Sequence, residues 1–438
     1  MRGWGRVFIR WALCGLPLGA FGQTPLGLEQ VLGLAGANLE VHISQRQLDA
    51  ARADIVSADR APLPVLSART SSIDLQNGIG AGNAWRDKRI DKGVGLDWTY
   101  ERGNKREWRT QTAQSQAQAA EQDLAQTRRQ QLVLASATYF DWLAQVERLR
   151  HVQALAMASR QQARAAEKRQ HAGDLSRQDL LRWQIEARRS EAEIPTAQAS
   201  VQRAALALRQ ITRLSPPAEG WVPAQGWPEA TGEWLDAASG AARLADAVAQ
   251  RPAVMAAQQR AQAARHALGL ALAQKKSDIT WGSSVDHYPG TSTRLLEFRV
   301  QMPLQWNYRF EGEIARAQAQ ATQSEAVLEQ IRAQADTEWQ TIHQDFLAAR
   351  VRWQAHRDEI LPKARQVLEQ AELAYQKGGL SLTDLLDARR THHHTWLDGL
   401  AARLDHAVAY ATLVLWSDDE PQARLRLLAS TPTAVERR

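Results

Sequence analysis

Gly378-Gly379-Leu380-Ser381-Leu382-Thr383-Asp384-Leu385-Leu386 has a counterpart 205 residues earlier, Gly173-Asp174-Leu175-Ser176-Arg177-Gln178-Asp179-Leu180-Leu181. The pair Ala371-Glu372 stands at the same offset from Ala166-Glu167. In each copy a glycine supplies the left-handed residue that stops one helix. A serine then caps the next helix or lies in its first turn, and an Asp and aliphatic residues carry it on. Both stretches read as the bend between two helices. A match at constant offset, with similar elements around both copies, reads as an internal duplication.

Upstream of each bend lies a long helical segment, roughly 105–171 and 310–377, rich in Ala, Gln, Arg and Glu and almost free of Gly and Pro. At 1.5 Å per residue each reaches on the order of 100 Å. Helices of that length are not stable alone and must pack in coiled-coil fashion. Small Ala and Gln side chains allow close approach around a hollow tube, where bulky Leu would fill a solid core.

Before each long helix the period changes from helical to two. Val94, Leu96, Trp98 and Tyr100 alternate with Gly95, Asp97, Thr99 and Glu101; Leu296, Phe298, Val300, Met302 and Leu304 alternate with Glu297, Arg299, Gln301 and Pro303. Alternation with aromatics is the pattern of a barrel strand, apolar to lipid and polar to lumen. Weaker partner strands precede them, at 64–74 before a Gly/Asn loop (77–83) and at 277–288 before the turn Pro289-Gly290-Thr291. Four strands per chain cannot close a barrel, since the smallest have about eight, so several chains must pool their strands. The competing reading is two soluble hairpins on a helical protein.

Composition fits an exported, helix-rich chain of 438 residues. Aromatics are only 6%, so a compact core is not expected to organise the molecule. Arg2, Arg6 and Arg10 precede an apolar run, Trp11 to Phe21, ending in Ala20-Phe21-Gly22, and residues 1–22 read as a cleaved signal peptide. The run is too short to span a bilayer, and no later apolar stretch approaches the required ~20 residues. Removing three arginines and no acid lowers the net charge from +6 to +3. That surplus does not point to nucleic acid, because the arginines are interspersed with Glu and Asp along helices. The single cysteine, Cys14, falls inside the signal, so the mature chain has no thiol chemistry. Organisation follows as signal 1–22, first repeat 23–213, a Pro/Gly/Trp-rich connection over the surface at 214–235, second repeat 236–417, and a flexible tail 418–438.

With these features in place, nearly the whole mature chain resembles the TolC-like outer-membrane efflux factors. The carrying motif is Gly followed six residues later by Asp and aliphatics, here Gly173…Asp179-Leu180 and Gly378…Asp384-Leu385. Tyr375, three residues before Gly378, and Asp387, on the next turn, also match. The resemblance implies a mainly α fold with a membrane β-barrel, in which a homotrimer shares twelve strands and a coiled-coil tunnel enters the periplasm. It implies a passive exit duct in the outer-membrane lipid, served by a periplasmic adaptor and an inner-membrane pump of the RND type. Asp384, Asp387, Tyr375 and Asp179 would then belong to the aperture. Gly173, Leu175, Ser176, Gly378, Leu380 and Ser381 would form the tip turns that dock the adaptor, and Val94, Leu96, Trp98, Tyr100, Leu296, Phe298, Val300 and Met302 would face lipid.

Asp384 and Asp387 are three apart and share a helix face. Pointing inward in a trimer, they would ring the constriction with six carboxylates and attract cations. The alternative is that they stabilise a helix N-terminus through its dipole. Where the family prototype has an Arg two residues after the second glycine, this chain has Leu380, so its closing network differs.

The strand-to-helix segments Glu101-Arg-Gly103-Asn-Lys105-Arg106 and 303–316 are similar to the outer-membrane components of cobalt–zinc–cadmium efflux systems. Metal cations are therefore the expected cargo, with drug or solvent efflux or type I secretion as the alternative. His392, His393 and His394 are consecutive and point about 100° apart, so they cannot chelate one ion together and read as a solvated helix face. The sequence holds no HExxH, Walker loop, GxSxG or CxxC, and no cofactor, metal site or enzymatic activity is expected. A soluble periplasmic coiled-coil scaffold or adaptor is the remaining structural alternative.

Overall fold

The architecture grows from one helix, α3 (Lys105–His171), 67 residues long. No Gly or Pro interrupts it, and its backbone runs unbroken between the bounds the composition suggests. In the computed structural model, the residues described are 24–76, 78, 80–82, 90–218, 220–228, 248–289 and 292–417. The expected signal with Cys14, residues 77, 79 and 83 of the loop at 77–83, Gly290 and Thr291 of the Pro289-Gly290-Thr291 turn, and the expected tail lie outside them.

In chain order, β1 (Thr24–Leu26), α1 (Leu28–Ala35) and α2 (Leu39–Ala58) lead to the hairpin β2 (Val65–Ser71) and β3 (Asp91–Tyr100). Helix α3 and its return, α4 (Arg177–Thr212), follow. After β4 (Trp221–Pro223) come α5 (Pro252–Ala273), the hairpin β5 (Ile279–Tyr288) and β6 (Ser292–Gln301), and α6 (Glu311–Ala355). A π turn at His356–Ile360 precedes α7 (Leu361–Gln376), and α8 (Leu382–Ser417) closes the order. Helix α3 packs against α2, α4, α5 and α8.

The π turn corrects the expectation of one continuous second helix. Pro362 has no N–H to offer the carbonyl one turn back. Just before it, Leu361 N–H reaches five residues back, to His356. The ladder is re-spaced there rather than broken.

A second correction concerns the core. Tyr139, Phe140 and Trp142, midway along α3, are fully buried with Leu26, Leu208, Phe346, Leu413 and Leu415. The aromatics are few but concentrated at this level. Within the described part of the connection, Trp227 is seated in this core rather than on the surface. Trp227 is buried, stacks on Phe140 with centroids 6.1 Å apart, and donates from Nε1 to Glu147 at 2.7 Å. Strand β4 also pairs in parallel with β1. A smaller cluster sits at the bends, built from Ala163, Ala166, Trp183, Ala187, Leu382, Leu385 and Leu386.

Candidate functional site

Two regions carry the sequence-derived residues, and each is built locally. At the first bend, Gly173 has φ +85°; at the second, Gly378 has φ +75°. A Cβ at either position would be strained whatever the surrounding space. Asp174 N–H bonds back to Arg169 O at 2.9 Å, and Gly379 N–H to Ala374 O at 2.9 Å, closing both helices in the same left-handed manner. Ser176 Oγ accepts from Asp179 N–H at 3.0 Å and donates to the Asp179 carboxylate at 2.8 Å. Ser381 does the same with Asp384, at 3.2 and 2.6 Å. Each bend thus starts its outgoing helix with a reciprocal Ser–Asp cap.

The capping partners give Asp179 and Asp384 a local role. Asp387 is exposed and makes no ion pair or side-chain hydrogen bond among the described residues. Leu175 and Leu380 are half-buried against the bend cluster, as is Tyr375, whose ring meets Trp183 edge-on at 6.3 Å. Sequence reasoning missed the cross-links holding the two bends side by side. Arg182 donates to Thr383 Oγ1 at 2.8 Å, Arg390 pairs with Glu186 at 3.0 Å, and Arg389 lies over Trp183 while pairing with Glu372 at 2.6 Å. These contacts couple positions on the two halves, which no local pattern reveals.

The histidine run departs from expectation. Only His394 is fully exposed; His392 and His393 are half-buried. His393 Nδ1 lies 3.0 Å from His151 Nε2 on α3, and His151 stacks on Trp396 with centroids 3.8 Å apart. Burial, together with the neighbouring His393 and His392, pushes His151 down to about 4.

The second region is the sheet, ordered β2-β3-β5-β6 and antiparallel throughout. Directly opposed residues share a face. Leu66 faces Leu96, Trp98 faces Trp281, Val94 faces Val285, and Val285 faces Leu296. The apolar residues expected on β3 and β6 therefore join across all four strands, and Trp98 and Phe298 are 62% and 77% exposed. The other face carries Val65 and Leu295 but is otherwise mostly polar and internally paired: Arg69 with Asp286 at 3.1 Å, Arg299 with Asp97 at 2.6 Å, and Thr99 with Thr280 at 3.0 Å. Met302 and Leu304, expected in the last strand, lie past its end at Gln301. Pro303 offers no donor to a ladder there. Trp281 and Val285 escaped the sequence reading because Gly282-Ser283-Ser284 breaks the apolar alternation between them.

The sheet thus has one face rich in exposed hydrophobics, an opposite face with paired charges, and two edge strands, β2 and β6, that pair on one side only among the described residues. The sequence profile of the outer membrane efflux protein family matches residues 35–212. Over that stretch the chain is similar to this family of channels. It is not an enzyme. CzcC of Cupriavidus metallidurans, a cobalt-zinc-cadmium resistance protein, is 24% identical over 368 residues, 84% of each chain. Among solved structures, CusC superposes with a TM-score of 0.75 at 17% identity, covering 90% of this chain and 92% of its own. The open state of the Neisseria gonorrhoeae MtrE outer membrane channel gives 0.73 at 16% identity, covering 89% and 88%. The efflux fold therefore extends over both halves.

Proposed function

We propose that the protein is the outer-membrane exit duct of a tripartite efflux system. The observation that carries this reading is the four-stranded sheet, apolar on one face and unpaired at both edges. Strands β2 and β6 run in opposite directions, so β2 of a second copy set beside β6 continues the antiparallel order. Three copies give twelve strands, within the range of known barrels. The bundled helices, too polar to enter lipid, would then form a tunnel on the periplasmic side. Among the described residues, no helix is long and apolar enough to cross a membrane. The shared offset of the two bends supports a duplicated chain, with repeats at 23–213 and 236–417.

Transport through such a duct is passive, driven by an inner-membrane pump of the RND type through a periplasmic adaptor. The bends at Gly173-Leu175-Ser176 and Gly378-Leu380-Ser381 are the docking ends, and Asp384, Asp387, Tyr375 and Asp179 belong to the aperture. Metal cations are the favoured cargo, supported by the likeness to CzcC. Deleting the gene should lower tolerance to cobalt, zinc or cadmium and leave tolerance to hydrophobic drugs unchanged. The reverse pattern would assign drug or solvent efflux.

A further inference from the structure

The two ends of the sheet differ chemically. At the end that continues into the helices, the exposed apolar face finishes in aromatics. Trp98 opposes Trp281 there, and Tyr100 opposes Ile279. The irregular segment after β6 adds Tyr308 and Trp306, the latter 82% exposed. Towards the other end, the same face carries Val94, Val285 and Leu296.

Cations follow immediately beyond the aromatics. Arg102, Lys275, Lys276 and Arg309 are exposed. The loops bearing them are tied together: Arg102 N–H donates to Asp278 at 3.0 Å, Arg102 Nη1 approaches Met302 Sδ at 3.8 Å, and Gln305 Nε2 donates to Gln274 O at 3.0 Å. Nearby acids are already engaged. Lys105 pairs with Asp278 at 2.7 Å and Arg106 with Asp59 at 3.0 Å. Glu313 holds the Tyr308 hydroxyl, and Glu311 accepts Arg309 N–H at 2.9 Å. Four exposed cations thus stand against three carboxylates that form no ion pair with a side chain among the described residues, Glu107, Glu311 and Glu313.

We infer that this end of the sheet is a seat for anionic phospholipid headgroups, the aromatic rings lying where acyl chains meet headgroups and the cations reaching lipid phosphates. The inference rests on the barrel reading above and adds the lipid class and the end of the barrel that binds it. Amphipathic rings settle at a membrane interface, and Lys and Arg lay their stems along apolar surface while the charge stays in the polar layer. Cations within a Debye length of an anionic surface are attracted to it, and salt screens the attraction.

The test uses the full-length protein in phosphatidylcholine vesicles with and without phosphatidylglycerol, reading the thermal midpoint of the assembled protein. Phosphatidylglycerol should raise that midpoint at low salt, and high salt should abolish the gain. The triple variant Lys275→Gln, Lys276→Gln, Arg309→Gln should lose the gain. A charge-matched control on the helices, Arg46→Gln, Arg332→Gln, Lys363→Gln, should keep it. Soluble glycerol phosphate should give no gain to any of them. An equal gain in both triple variants, or a wild type that conducts in both lipids with no midpoint difference, would overturn the headgroup seat and leave the barrel standing. Failure to insert into either vesicle would overturn the barrel and the seat with it.

Discussion

Asp384 and Asp387 stand one helical turn apart in different surroundings. Asp384 is held by Ser381, whereas Asp387 reaches into solvent with no partner among the described residues. If both line the aperture, Asp387→Ala should raise single-channel conductance and weaken block by multivalent cations with no change in stability. Asp384→Ala should do the same and also cost about 0.3–1 kcal/mol through the lost helix-terminus charge. Unchanged conductance and block in both variants would leave these carboxylates a capping role alone. His151 contributes to the pH response, as does His406, which burial also pushes down to about 4. The native pKa of His151, about 4, lies below the ordinary 6.5, so the unfolded chain takes up the proton first. The stability is fully present above 6.5 and is lost as the pH falls toward 4. Beyond His393 and His392, the groups nearest the pair are Glu193, which favours charge on His393, and His394 and Arg148, which oppose it. Thermal midpoints followed across this window should fall more steeply for the wild type than for His151→Leu; parallel curves would remove His151 from the account. The spacing of His392–His394 argues against shared chelation. It could not reveal a partner 242 residues away.

At the level of elements, the sheet gives the sharper contrast. Arg placed at Leu96 or Val300 would lie on the apolar face and should destabilise the assembled protein by about 2–4 kcal/mol if that position is near the bilayer midplane. Arg at Gln301, on the polar face, should be tolerated in the same denaturation assay, and equal losses at all three positions would mean that the sheet is not in lipid. Alternation alone makes Asp97 look like an equivalent control, but its carboxylate holds Arg299 at 2.6 Å, so Arg there would set two guanidinium groups together. Strands β3 and β6 were legible because apolar residues recur every second position; β2 and β5 were weaker because Ala68 and Thr70 in β2, and Ser283 in β5, stand where large apolar residues would continue the pattern. The bounds of α3 were legible from an unbroken helical composition. The π turn was not, because Pro362 signals a disturbed ladder without specifying whether the helix ends, kinks or widens.

For the whole molecule, the two similar bends and the change of period before each long helix were enough to read from sequence a mainly helical chain of the efflux-channel fold. The mid-height core was not readable, since Leu26, Tyr139, Trp227 and Phe346 lie far apart in the chain and converge only through packing. The same limit hid Arg182–Thr383 and Arg390–Glu186, which hold the two bends together. What the single chain leaves open physically is its sheet: two unpaired edges and a continuous apolar face, which antiparallel pairing with further copies would resolve. The decisive measurement is therefore the mass of the detergent-extracted protein, taken on the same preparation whose conductance is recorded in a planar bilayer. Three chains per conducting particle are expected. A conducting, monodisperse monomer, or a protein that washes from membranes without detergent and never conducts, would contradict the shared barrel.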